Sequence, residues 1–138
     1  MSRVINSDSP GQIRNRLLKL VWTTTTEINQ SKFSEIELND AIAFVILSLA
    51  EIERTISLTT APWEKREYWV KADQFRGEWN WVGEAKTRLI QSRTEKGWLS
   101  VPPEIEALVA KLKEHEPSRR SQRKAFWKGA YSIFVAKK

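Results

Sequence analysis

The sequence predicts an all-α protein: one helical bundle of about five helices, with two long antiparallel central helices at about 35–59 and 62–92. Three observations carry this. Apolar residues recur at steps of three and four through most of the chain. No stretch alternates apolar and polar residues in the manner of a half-buried strand. Helix-start residues stand at the right offsets where the periodic runs begin. At 138 residues the chain is long enough to bury a core and is read as a single domain.

The first helix starts at Ser9-Pro10-Gly11-Gln12. Ser9 is placed to cap, Pro10 suits the first helical position, and Gln12 completes a capping box. Ile13, Leu17, Leu20, Thr24 and Ile28 then follow helical spacing. The helix is expected to run on through Thr23 to Thr26, although β-branched side chains lower helix propensity. Ser34 and Glu37 form a second capping box. After it, Leu38, Ile42, Val45, Leu49, Ile52 and Ile56 make one apolar stripe. Pro62 is expected to end this helix region and open the next, because a proline in a helix interior removes a hydrogen bond.

The third helix repeats the pattern with Tyr68, Ala72, Phe75, Trp79 and Val82, and Leu89 continues the line. Two long helices with matching stripes and a short connection pack antiparallel. On a helical projection Trp63, Val70 and Trp81 fall together on a second line, and Trp69 on a third beside Lys65 and Arg66. Trp79 is expected in the core and Trp63 with Trp81 against another helix. Trp69 has two readings, a cation–π contact at the surface or a platform on which a base stacks. Glu67 with Lys71, and Glu84 with Arg88, have i,i+4 spacing that suits surface ion pairs. Residues 92–104 read as a loop, with Gly97 as a helix C-cap and Pro102-Pro103 as a helix start. Ile105, Leu108, Val109 and Leu112 predict a short amphipathic helix, and a last helix is expected over about 118–135.

Charge gives the main functional lead. The chain carries a net +6, and residues 1–60, 61–115 and 116–138 contribute −1, +1 and +6 in turn. The excess thus sits in the basic C-terminal segment 116–138. If that segment is helical, Arg120, Lys124 and Lys128 form one i,i+4 line, and Arg119, Arg123 and Trp127 the next. A row of cations ending in an indole suits nucleic acid: releasing counterions from phosphates favours Lys and Arg, and Trp127 either stacks on a base or anchors the segment; the other reading is that Phe126, Trp127, Tyr131 and Phe134 dock the last helix on the bundle. The expected contacts are mainly to phosphates, with little sequence selectivity. An acidic protein surface is the other candidate partner for the same stripe. A second class of function is a helical protein–protein interaction subunit, with Trp63, Trp69, Arg76, Trp81 and Trp98 at a tryptophan-rich interface.

Other classes find little support. With no cysteine there is neither a disulfide framework nor a thiolate metal site or nucleophile. The single histidine, His115, stands between Glu114 and Glu116, and no zinc-protease, phosphate-loop or calcium-loop pattern occurs. The expectation is a protein that is not an enzyme, with no cofactor and no metal. The N-terminus lacks the apolar core of a signal peptide, and the longest apolar run, Ala41 to Leu47, is too short to span a bilayer. A cytoplasmic protein without a membrane partner is expected.

Overall fold

The computed structural model describes residues 8–30, 32–115 and 126–136. Arg119, Arg120, Arg123, Lys124, Lys137 and Lys138, and the side chain of His115, lie outside the described residues. Within them the protein is all-α, with α1 Pro10–Gln30, α2 Glu35–Lys65, α3 Trp69–Gln91, α4 Pro103–His115 and α5 Ala130–Ala136. The only extended pairing among these residues is one isolated bridge, Thr94 with Gly97.

α1 begins as its sequence dictates. The Gln12 amide donates to Ser9 Oγ at 3.2 Å, and the Ser9 amide donates to Gln12 Oε1 at 2.9 Å. The helix continues through the threonines because each hydroxyl finds an acceptor within its own helix. Thr24 Oγ1 donates to the Leu20 carbonyl at 2.8 Å and Thr26 Oγ1 to the Trp22 carbonyl at 2.7 Å. The buried face differs from the expected stripe. Its first part runs through Arg14, Leu18 and Val21, one residue further round, while Ile13, Leu17 and Leu20 sit at its half-buried margin; Thr24 and Ile28 are buried as their spacing predicts, with Thr25 beside them.

α2 is the central element. The reciprocal Ser34–Glu37 capping box is formed, and Leu38, Ile42, Val45, Leu49 and Ile52 are all buried. Ala41, Ala43 and Ile46 are buried as well, so the helix is covered on several sides by α1, α3 and α5. α3 returns along it. Trp63 against Phe75, Glu64 against Arg76 and Glu53 against Lys86 fall in an antiparallel register.

The break between these two helices is not at Pro62. α2 runs through that proline to Lys65, and Pro62 and Leu58 both face solvent. The chain reverses at Arg66-Glu67-Tyr68 instead. The Tyr68 amide donates to the Trp63 carbonyl at 2.8 Å, the Glu67 amide donates to the Glu64 carbonyl at 3.0 Å, and Glu67 has φ 64°. This is a Schellman ending with glutamate in the left-handed position where glycine is usual. The shift has a consequence for the tryptophans. Trp63 ends α2 and Trp69 opens α3, so Trp63, Val70 and Trp81 are not on one helical line.

At the other end, Gly97 does not cap α3, which ends at Ser92. Gly97 closes a tight turn with Thr94 at φ 89°, and an added Cβ would lie 2.1 Å from Asn39 Oδ1. Asn39 of α2 uses that approach to accept from the Trp98 amide at 2.9 Å and donate to the Trp98 carbonyl at 3.1 Å. α4 buries Ile105, Leu108 and Leu112, as its spacing predicts. The expected helix over 118–135 is shorter where it is described. Residues 126–129 form a turn, Gly129 has φ 85°, and α5 starts only at Ala130. Asp40 of α2 fixes that start by accepting from the Gly129 and Tyr131 amides at 3.0 and 3.1 Å. No helix among the described residues is long and apolar enough to cross a membrane.

Candidate binding surfaces

Of the expected basic stripe, Trp127 and Lys128 lie within the described residues. Lys128 is exposed. Trp127 is not: it is 2 % exposed, its ring lies 5.0 Å from Phe33, and its Nε1–H reaches Glu27 Oε1 at 3.4 Å. A base has no access to this indole, so the expected stacking role is withdrawn. The reason is position. Trp127 stands in the turn before α5, on the inward side, rather than on an exposed helix face. Lys128 and Trp127 therefore do not continue a helical i,i+4 line of cations.

The interface candidates separate in the same way. Trp81 and Trp98 are buried core residues. Trp98 donates from Nε1 to Ser92 Oγ at 2.9 Å and packs against Tyr131 and Phe134. Neither presents an exposed ring for a protein interface. Trp63 is half-buried, edge-on to Phe75, with Lys71 Nζ 4.4 Å above its face. That contact takes Lys71 from the expected pair with Glu67, and Glu84 with Arg88 is likewise not closed among the described residues. Arg76 is paired with Glu64 and, at 2.9 Å, with Asp73. The hydrogen bonds it donates to Glu64 and then Asp73 raise its pKa, and it acts as a clasp between α2 and α3. Trp79, expected in the core, is half-buried beside Phe75.

Trp69 alone among the five candidates is open, and it is not isolated. Tyr68, Trp69 and Val70 are 51, 55 and 70 % exposed and follow one another at the reversal between α2 and α3. Lys65, Arg66 and Lys71 flank them. This hairpin tip presents two rings and an aliphatic side chain with a cationic surround. Periodicity places Tyr68 on the main apolar stripe and Val70 on a second line; the position of the helix break makes both surface residues.

A second unforeseen feature lies inside the same end of the molecule. Arg14 of α1 is buried, donates to Thr55 Oγ1 at 3.2 Å and Thr59 Oγ1 at 3.3 Å, and has its guanidinium 5.0 and 5.2 Å from the Phe75 and Trp79 ring centres. No carboxylate among the described residues pairs with it. Burial pushes its pKa down from the ordinary arginine value. Among the described residues no group of three or more acidic or histidine side chains gathers as a metal site. Comparison with protein-family models, with curated proteins and with solved structures gives no match.

Proposed function

We propose that this is a small, non-enzymatic, cytoplasmic accessory protein that binds nucleic acid, or a nucleoprotein assembly, through its C-terminal cations. One observation carries the reading: the whole net charge of +6 lies within residues 116–138. A polyanion rewards such concentration through counterion release. The flanks support it. Leu112 of α4, which precedes the basic run in sequence, and Trp127, which follows it, are both buried in the core. Trp127 serves as the anchor. With no free indole there, contact is to phosphate, and discrimination between base sequences is weak.

Because Trp127, Ala130 and Phe134 belong to the core, deleting the C-terminus damages the fold as well as the charge. Point substitution is the cleaner test. Replacing Arg119, Arg120, Arg123 and Lys124 together by alanine is expected to leave the helical circular dichroism intact and to weaken binding of a labelled single-stranded oligonucleotide in fluorescence anisotropy. If all four contact phosphate, the slope of log affinity against log salt falls by about 3. An unchanged affinity and slope in the substituted protein sinks the proposal.

A second reading has its own observation, the exposed Tyr68-Trp69-Val70 tip. It makes the protein a helical interaction subunit whose tip grips an acidic protein partner, since tryptophan and tyrosine are common interface anchors. Replacing Tyr68 and Trp69 by alanine is its test, read as loss of partner capture.

A further inference from the structure

Between α3 and α4 lies a pocket of about 270 Å³. Its apolar wall includes the buried side chains of Trp81 and Leu108. Each helix contributes one carboxylate and one cation to it, Glu84 and Arg88 from α3, Glu104 and Lys111 from α4. These four charges do not neutralise one another. Among the described residues no ion pair joins any two of them, and Lys111 reaches only Glu114, at 3.6 Å. Glu104 Oε1 is buried there and has no hydrogen-bond partner among the described residues. A carboxylate oxygen withdrawn from water requires a donor, and none of the side chains around it supplies one.

The chemistry of an occupant follows. A purely cationic molecule would answer the carboxylates and leave Arg88 and Lys111 facing a like charge; a purely anionic one would do the reverse. A molecule carrying both signs with a short apolar part satisfies the rim and the wall together. The volume lies just below the roughly 300–1,000 Å³ usual for ligand pockets, which restricts the occupant to a small molecule. We propose that this pocket binds a free apolar α-amino acid or a zwitterion of the same kind. Its ammonium sits on Glu104, its carboxylate on Arg88 and Lys111, and its side chain against Trp81 and Leu108. The proposal is independent of the nucleic-acid reading, which concerns another part of the chain.

The test uses the full chain labelled with ¹⁵N. Its seven tryptophans give seven indole N–H resonances, and Trp81→Phe assigns the one in the pocket. Titration with L-phenylalanine or L-leucine at millimolar concentration is expected to move the Trp81 resonance saturably. 3-Phenylpropionate and 2-phenylethylamine, each lacking one charge, are expected to bind roughly 10- to 100-fold more weakly than L-phenylalanine. Glu104→Gln is expected to cost a similar factor while the circular dichroism stays unchanged. The proposal is overturned if neither amino acid moves the Trp81 resonance, or if the singly charged analogues bind as well as L-phenylalanine. The analogue comparison is made on the unsubstituted protein, so it decides the matter even if Glu104→Gln disturbs folding.

Discussion

Arg14 shows how one residue draws on three helices. Its stem lies on the buried face of α1, its guanidinium bonds two threonines of α2, and two aromatic rings of α3 close over it. A buried cation needs such surroundings, yet it gives up hydration that an apolar residue never had. Its partners do not depend on it. Thr55 Oγ1 donates to the Ile52 carbonyl at 2.6 Å and Thr59 Oγ1 to the Thr55 carbonyl at 2.8 Å, and both bonds survive without the arginine. Arg14→Met, which keeps an unbranched flexible stem and places a thioether against the rings, is therefore expected to match or exceed the parent stability in urea unfolding. Arg14→Ala leaves a void between the helices and is expected to cost about 2–4 kcal/mol. Equal losses for the two variants would show that the charge itself holds the site.

At the scale of elements, the reversal at 66–68 decides which aromatics face outward. Glu67 occupies φ 64°, where a side chain costs about 1 kcal/mol and glycine almost nothing. Glu67→Gly is expected to keep the Schellman bonds and raise the unfolding free energy by about 0.5–1 kcal/mol, partly offset by the freer unfolded chain, as read from urea titration. The sequence made some elements plain and hid others, for reasons of range. Both capping boxes, the α2 stripe and the buried face of α4 were legible because caps and periodicity are encoded within a few neighbouring residues. The helix break was not. Pro62 is a strong local stop signal, but on the exposed side of the last turn it removes only a bond to solvent-facing backbone, and the helix passes through. With the break at 66–68, Tyr68 and Val70 stand at the tip rather than on the packed lines that their spacing suggests. Which of its two readings Trp127 takes is hidden from sequence for a different reason. Its surroundings depend on Asp40, Glu27 and Phe33, partners about 90 or more positions away that periodicity in residues 118–135 does not register.

For the whole molecule, α2 is both the core and the ruler that separates the hairpin tip from the turn that carries Lys128. Asp40, near its start, holds the turn that carries Trp127 and Lys128, while Lys65, at its end, borders the hairpin tip. Twenty-five residues of helix between them span roughly 37 Å at 1.5 Å per residue. That is several times the ~8 Å screening length at physiological salt, so the charge of Lys128 has little effect on binding at the tip. The tip side chains are exposed and carry little of the core, so replacing Tyr68 and Trp69 by alanine is expected to change unfolding free energy by no more than about 0.5 kcal/mol each. The double variant is then a clean probe. If the C-terminal cations bind nucleic acid and the tip binds protein, the Tyr68/Trp69 variant keeps the oligonucleotide affinity and salt slope of the parent and loses protein capture. The four-cation variant does the opposite. A nucleic acid wrapped along the whole molecule predicts another pattern: both variants weaken the oligonucleotide, because the tip rings stack on bases while the C-terminal cations hold phosphates. Oligonucleotides shorter and longer than the spacing separate these cases. Only the longer one should lose affinity on removing the tip rings if a single strand bridges the two ends.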